Sequence, residues 1–178
     1  MNKLHTSVNN QIVNTHTVAS PLGPIRIDAS DSAIHGMWFV GQKWEHDQAA
    51  QSIQRSNALI EAAAKQLAQY FALTRMIFDL PLAPIGTVFQ KAVWHEISRI
   101  AFGHHTSYGA IAHDLVKPKA SRAVGAATGR NPISIVIPCH RVLGGHSVGS
   151  KQVLTGYAGG LDRKRWLLDH EQKLTRLL

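Results

Sequence analysis

The stretch Ile133-Ser134-Ile135-Val136-Ile137-Pro138-Cys139-His140-Arg141-Val142 decides the reading, because a β-branched run stops at a proline and hands over to the only cysteine among 178 residues. Ile133 to Ile137 has the composition of a short buried strand, and Pro138, with no N–H to give to a ladder, ends it. A lone thiol makes no intramolecular disulfide, so Cys139 is either a small apolar filler or a reactive group. A strand end favours the second reading. It holds a nucleophile still with one face open, next to a histidine and then an arginine that would favour the thiolate.

Working outward, Lys117-Pro118-Lys119 breaks a short helix over Ser107–Leu115, whose apolar face is Tyr108, Ile111, Ala112 and Leu115. Ala120 to Thr128 resumes as a helix almost without side chains, so the pair reads as a helix-turn-helix. Upstream, Thr87-Val88-Phe89-Gln90 fits a capping box. Phe89, Val93, Ile97 and Ile100 then form one inward stripe until Gly103 ends that helix. A last helix runs from about Leu161 to Gln172, with Leu161, Trp166, Leu167 and Leu168 for packing and Glu171 one turn beyond Leu167.

The first half reads differently. Residues 1–16 are polar and are expected to be a loose arm, and Thr17 to Val40 has the punctuation of two or three antiparallel strands. Leu59, Ala63, Leu67, Tyr70 and Phe71 put one helical face on Ser56–Leu73. Asp79 to Gly86 carries two prolines and a glycine, and the domain boundary is placed there: 1–84 an N-terminal α+β support unit, 85–178 a mostly helical C-terminal unit. The fold class is therefore α+β, a small antiparallel sheet with a helix followed by the helix-turn-helix unit and a short strand bearing the thiol.

Composition bounds the partners. With 44% apolar and 17% charged residues the chain folds around a core, and no stretch approaches the roughly 20 apolar residues of a membrane span. The first residues lack a signal-peptide apolar core, so a cytoplasmic location is expected, in keeping with the single cysteine. A net charge of +8 points to a polyanion, and to nucleic acid before membrane, since no long basic amphipathic helix is evident. No glycine pattern is placed to hold a nucleotide phosphate, so no cofactor is expected.

Several strings in order carry a resemblance: Ser107-Tyr108-Gly109, Ser121-Arg122-Ala123-Val124-Gly125, Asn131-Pro132, Pro138-Cys139-His140-Arg141-Val142, Thr155-Gly156-Tyr157-Ala158-Gly159-Gly160-Leu161 and Trp166-Leu167-Leu168-Asp169-His170-Glu171. Together they closely resemble the O6-alkylguanine-DNA alkyltransferases, over about residues 85–172 and more loosely before. The resemblance implies irreversible transfer of a methyl or alkyl group from O6-alkylguanine in duplex DNA to Cys139, with O4-alkylthymine as a second candidate substrate. It implies His140 as base through a water, Glu171 orienting His140, and Tyr108 donating a proton to a ring nitrogen of the extruded base. The carbonyls of Cys139 and Val142 would accept from the exocyclic amine, and the Ala158 N–H would face O6. Arg122 would fill the gap left by the base, and Asn131 would be the hinge between recognition helix and active-site strand. Ser121, Ala123, Gly125 and Arg130 join the DNA-binding set; Tyr157 and Gly159 join the substrate set. The small residues around Arg122 suit close approach to the minor groove. The resemblance further implies a ribonuclease-H-like N-terminal unit and a monomer on double-stranded DNA.

One departure is visible: Leu143 to Leu154 is a few residues longer than is usual, which bears on the pocket rim. No metal is expected, since the zinc ligands of some relatives need cysteines this chain lacks. The plainer readings are a buried structural thiol at Cys139, a backbone-bonded His140, a core Tyr108, a surface Arg122 and ten other histidines at the surface, adjacent His104-His105 lacking ligand spacing. At the level of function, a lesion-sensing module without transfer and a cysteine hydrolase that turns over stand as alternatives.

Overall fold

The computed structural model describes residues 13–45, 52–144, 147–148, 151–152 and 154–175. β1 (Val13–Val18), β2 (Ile25–Ala29) and β3 (Ile34–Phe39) are antiparallel neighbours, and β4 (Ser52–Gln54) pairs parallel with β1, giving the order β3-β2-β1-β4. The sheet is thus mixed, and residues 13–16 of the expected arm belong to β1 while residues 1–12 lie outside the described residues. The ladder to β2 recruits these polar residues: Thr15 donates to buried Asp28, which also holds Arg26.

Helix α1 (Ala58–Phe71) is capped by Asn57, whose side chain accepts from the Ile60 N–H at 3.0 Å. Its buried residues Ile60, Ala63, Leu67 and Tyr70 fall at helical spacing and pack toward the sheet. The proline-rich segment after it pairs along the free edge of β3, with Ile34 donating to Pro81 O and Ala83 donating to Ile34 O. Further along the same edge, Met37 donates to Pro132 O and Ser134 to Met37 O. Edge β3 is therefore covered by two later segments.

Helix α2 (Val88–Ser98) starts with the expected capping box at Thr87 and Gln90 but ends at Ser98, and Gly103 instead turns the chain at φ 72°. After β5 (Thr106–Ser107) come α3 (Tyr108–Asp114), a 3-10 turn (Pro118–Ala120) and α4 (Ser121–Gly129), the helix-turn-helix. β6 (Val142–Leu143) pairs parallel with β5, and β7 (Ser147–Val148) antiparallel with β8 (Lys151–Gln152) inside the longer loop, much of which lies outside the described residues. α5 (Leu161–Thr175) is the last described element; Leu167 is buried, whereas Leu161, expected to pack, is exposed. Buried side chains from the sheet, α1 to α4, residues 133–142 and α5 form one continuous cluster.

The expected strand at Ile133–Ile137 does not form. Ile133 makes a single parallel bridge to Met37, and Ile135 then takes φ 70°, a left-handed conformation that crowds a β-branched side chain. Cys139 begins a 3-10 turn, Cys139–Arg141, rather than ending a strand. The β-branched composition reflects burial, since Ile133, Ile135 and Ile137 are all core residues; it does not reflect a ladder.

Candidate active site

One amide side chain explains the coiled backbone before the thiol. Asn131 Oδ1 accepts from the Ile133 N–H at 3.0 Å, while Nδ2 donates to Ile133 O (3.2 Å), Ile137 O (2.8 Å) and Cys139 Sγ (3.1 Å). These bonds stand in for ladder bonds and fix the thiol from the end of α4. Cys139 is buried at 5% exposure, which corrects the expectation of an open strand-end face. Burial pushes its thiol above the ordinary value, opposed by the Asn131 hydrogen bond and the charge of Lys164. A buried thiol of this kind needs a base.

His140 and Arg141 both turn toward α5. Glu171 Oε1 accepts from Tyr70 Oη (2.8 Å), His140 Nε2 (2.8 Å) and an Arg141 terminal nitrogen (2.9 Å), and Oε2 accepts from Arg141 Nε (2.9 Å) and the Gly103 N–H (3.0 Å). Arg141 is thus the two-pronged partner of Glu171 and also donates to Ile100 O at 2.5 Å, so it does not serve the thiolate as its sequence position suggested. Burial alone would push the Glu171 carboxyl up, but hydrogen bonds and charge from His140 and Arg141 hold it well below the usual carboxylate range. Burial lowers His140 despite Glu171. The pair is therefore an anionic Glu171 beside a neutral imidazole whose Nε2 carries the proton. The buried Nδ1 keeps its lone pair and meets no hydrogen-bond partner among the described residues.

Lys164, unexpected from sequence, supplies the cation that Arg141 does not. Its buried Nζ donates to Val142 O and Thr155 O at 2.7 Å each, and burial lowers it to about 8 although Cys139 pulls the other way. The Val142 carbonyl therefore already has a donor, and the Cys139 carbonyl accepts from the Val142 N–H. The signal was present: Lys164, Leu167 and Glu171 recur at three and four residues, placing two ionisable groups on the buried stripe of α5. Tyr70 and the Gly103 N–H carry no such signal, because their partner lies 101 and 68 residues away.

The remaining residues surround this centre. Tyr108 is half-buried, its hydroxyl donating to Thr155 O (3.3 Å) and Gly156 O (3.4 Å), so it faces the segment that carries Tyr157, Ala158 and Gly159. Ala158 O accepts from the Lys43 N–H, and a side chain at Gly159 would meet Tyr157 at 2.7 Å and Phe39 at 3.2 Å, so the loop after β3 packs directly on this rim. On α4, Arg122 and Ala123 are exposed, Ser121 and Gly125 partly so, and Gly125 lies against the Tyr108 ring. Arg130, past the helix end, stacks 3.4 Å over the Trp44 ring of the N-terminal segment. Among the described residues no hydrogen bond links Arg122 to the thiol; they share the scaffold of α4 and Asn131. Among the histidines read as surface, His170 is buried, stacks on Trp166 and bonds Tyr70 O through Nε2 at 3.1 Å.

Residues 88–173 match the family described as 6-O-methylguanine DNA methyltransferase, DNA binding domain, and residues 13–84 match its ribonuclease-like domain. A Methanosarcina acetivorans protein named methylated-DNA–protein-cysteine methyltransferase is 42% identical over 152 residues, covering 85% of this chain and 94% of its own. The Methanosarcina barkeri protein of the same name is 43% identical, covering 89% and 97%. Among solved structures, Mycobacterium tuberculosis OGT in complex with DNA superposes with a TM-score of 0.81 at 37% identity, covering 90% of this chain and 94% of that one.

Proposed function

This chain belongs to the 6-O-methylguanine DNA methyltransferase family, and on that premise we propose that it repairs duplex DNA by taking the alkyl group of O6-alkylguanine onto Cys139 once and for good. The observation that carries the reading is the chain of contacts from Asn131 to Cys139 and from neutral His140 to anionic Glu171, in which a buried thiol has a hydrogen-bond donor on one side and an oriented base next in sequence.

In the proposed reaction the guanine is rotated out of the stack, because O6 in a paired base cannot reach a buried sulfur. His140 Nδ1 takes the thiol proton through a water, and the imidazolium is stabilised by Glu171. Lys164 and the Asn131 amide stabilise the thiolate. Sulfur attacks the alkyl carbon, the carbon–O6 bond breaks with its electron pair going to oxygen, Tyr108 protonates a ring nitrogen, and the phenolate regains a proton from the His140 imidazolium through solvent. The net result moves the thiol proton to guanine and leaves a thioether. That product has no good leaving group, so the protein is consumed. Ala158 and Val142 would border the extruded base, with Tyr157 and Gly159 shaping the rim; Arg122 would fill the vacated stack, flanked by Ser121, Ala123 and Gly125, with Arg130 further along the DNA. Residues 1–84 serve as the supporting unit and 85–178 as the DNA-binding unit, acting as a cytoplasmic monomer on DNA.

The test is incubation with duplex DNA carrying radiolabelled O6-methylguanine. Label on Cys139 reaching and stopping at one equivalent is expected. Retained binding without label would mean a sensor, and label released with turnover a hydrolase; either overturns the reading. Cys139→Ala should abolish transfer and spare binding.

A further inference from the structure

We propose that Tyr70, on α1 of the N-terminal unit, is a positioning residue for the transfer, which makes that unit a working part of the active site. This deepens the reading above and rests on it. The buried Tyr70 hydroxyl donates to Glu171 Oε1 at 2.8 Å, and its own carbonyl accepts from His170 Nε2 at 3.1 Å, so adjacent residues of α5 grip one residue of α1. The ring is fixed among Phe71, Phe78, Phe102 and His170. Phe102 precedes Gly103, whose N–H holds the other carboxylate oxygen. The carboxylate is thereby oriented from α1, from the turn after α2 and from the 3-10 turn that carries His140.

Packing alone does not explain the hydroxyl, since phenylalanine would fill the same space. Burial and the charge of Glu171 push the phenol well above its ordinary value, so it remains a donor. On Oε1 it competes with His140 Nε2 and Arg141 for the same negative charge. That competition weakens the pull of Glu171 on the imidazole proton and keeps His140 neutral and able to act as base. Arg141, Lys164, Cys139, Tyr157 and His170 are the other titratable groups around the pair, and Tyr70→Phe leaves each of these side chains present.

The experiment is single-turnover transfer from labelled duplex as a function of pH, for the native protein, Tyr70→Phe, Glu171→Gln and the double variant. In Tyr70→Phe the rate should fall roughly threefold to tenfold, and the acid limb should move to higher pH because His140 holds its proton more tightly. DNA affinity should stay within about twofold, and the hydroxyl effect should shrink below about twofold in the Glu171→Gln background. An unchanged rate and limb, an equal slowing in both backgrounds, or a Phe variant that does not fold would each overturn the proposal, the last by assigning the hydroxyl to stability. Should the native protein transfer no label, the alkyltransferase reading itself fails; native transfer with an unaffected Phe variant removes only the role of Tyr70.

Discussion

The Asn131 side-chain amide donates to Cys139 Sγ at 3.1 Å while holding the backbone of Ile133 and Ile137, so the group that shapes the loop is also the one that touches the sulfur. Loop geometry and thiol chemistry are thereby coupled through a single residue.

Asn131→Ala should accordingly lower stability by about 2–4 kcal/mol, since it strips partners from buried backbone groups. The same variant should raise the thiol midpoint, because the sulfur loses its donor while its burial persists. Urea unfolding and the pH dependence of thiolate absorbance measure the two effects. A variant with native stability and an unmoved thiol would refute the coupling.

Lys164→Met should lower the thiolate fraction near neutral pH, since the charge that favours the thiolate there is removed, with little change to the loop. The expected difference from the native protein has a pH window: it is present below about 8, where Lys164 is charged, and fades above it as the lysine loses its proton. Alkylation of Cys139 by a small haloacetamide across pH reads this directly. Parallel profiles at all pH values would remove Lys164 from the thiol's environment.

Glu171→Gln leaves Arg141 buried without its anion and should cost about 3–5 kcal/mol near neutral pH. In the folded protein the Glu171 carboxyl is held below its unfolded value of about 4.3. Its contribution is therefore complete above that value and is lost as pH falls below it. The native protein should lose stability with acid more steeply than the variant. Denaturation midpoints from neutral pH down through the carboxylate range test this, and equal slopes would contradict it.

Arg122 is exposed, so Arg122→Ala should change stability by less than about 0.5 kcal/mol. It should slow transfer from duplex DNA while leaving haloacetamide alkylation of Cys139 untouched. Equal transfer rates from duplex for the variant and native protein would dissociate Arg122 from base extrusion.

Much of the architecture was legible because it is written in local signals. The capping box at Thr87, the break at Lys117–Lys119 and the small-residue helix after it depend on neighbours a few residues apart, and each sits where the sequence placed it. Beside the thiol, two local signals misled. Ile133 to Ile137 is β-branched for the sake of burial, and Arg141 follows the thiol in sequence but points to Glu171. In both cases a side chain from elsewhere, Asn131 or Glu171, outbid the local preference.

From the order of residues alone came the reactive sulfur, its adjacent imidazole, the helix-turn-helix and the net positive charge, since composition and short spacing encode these directly. Which cation serves the thiolate, which proton His140 keeps, and that Tyr70 of α1 reaches Glu171 of α5 were decided by the tertiary structure. The reason is electrostatic: the strength of a charge or hydrogen bond depends on distance and on exclusion of water, and both are set only when segments a hundred residues apart close around the same buried carboxylate.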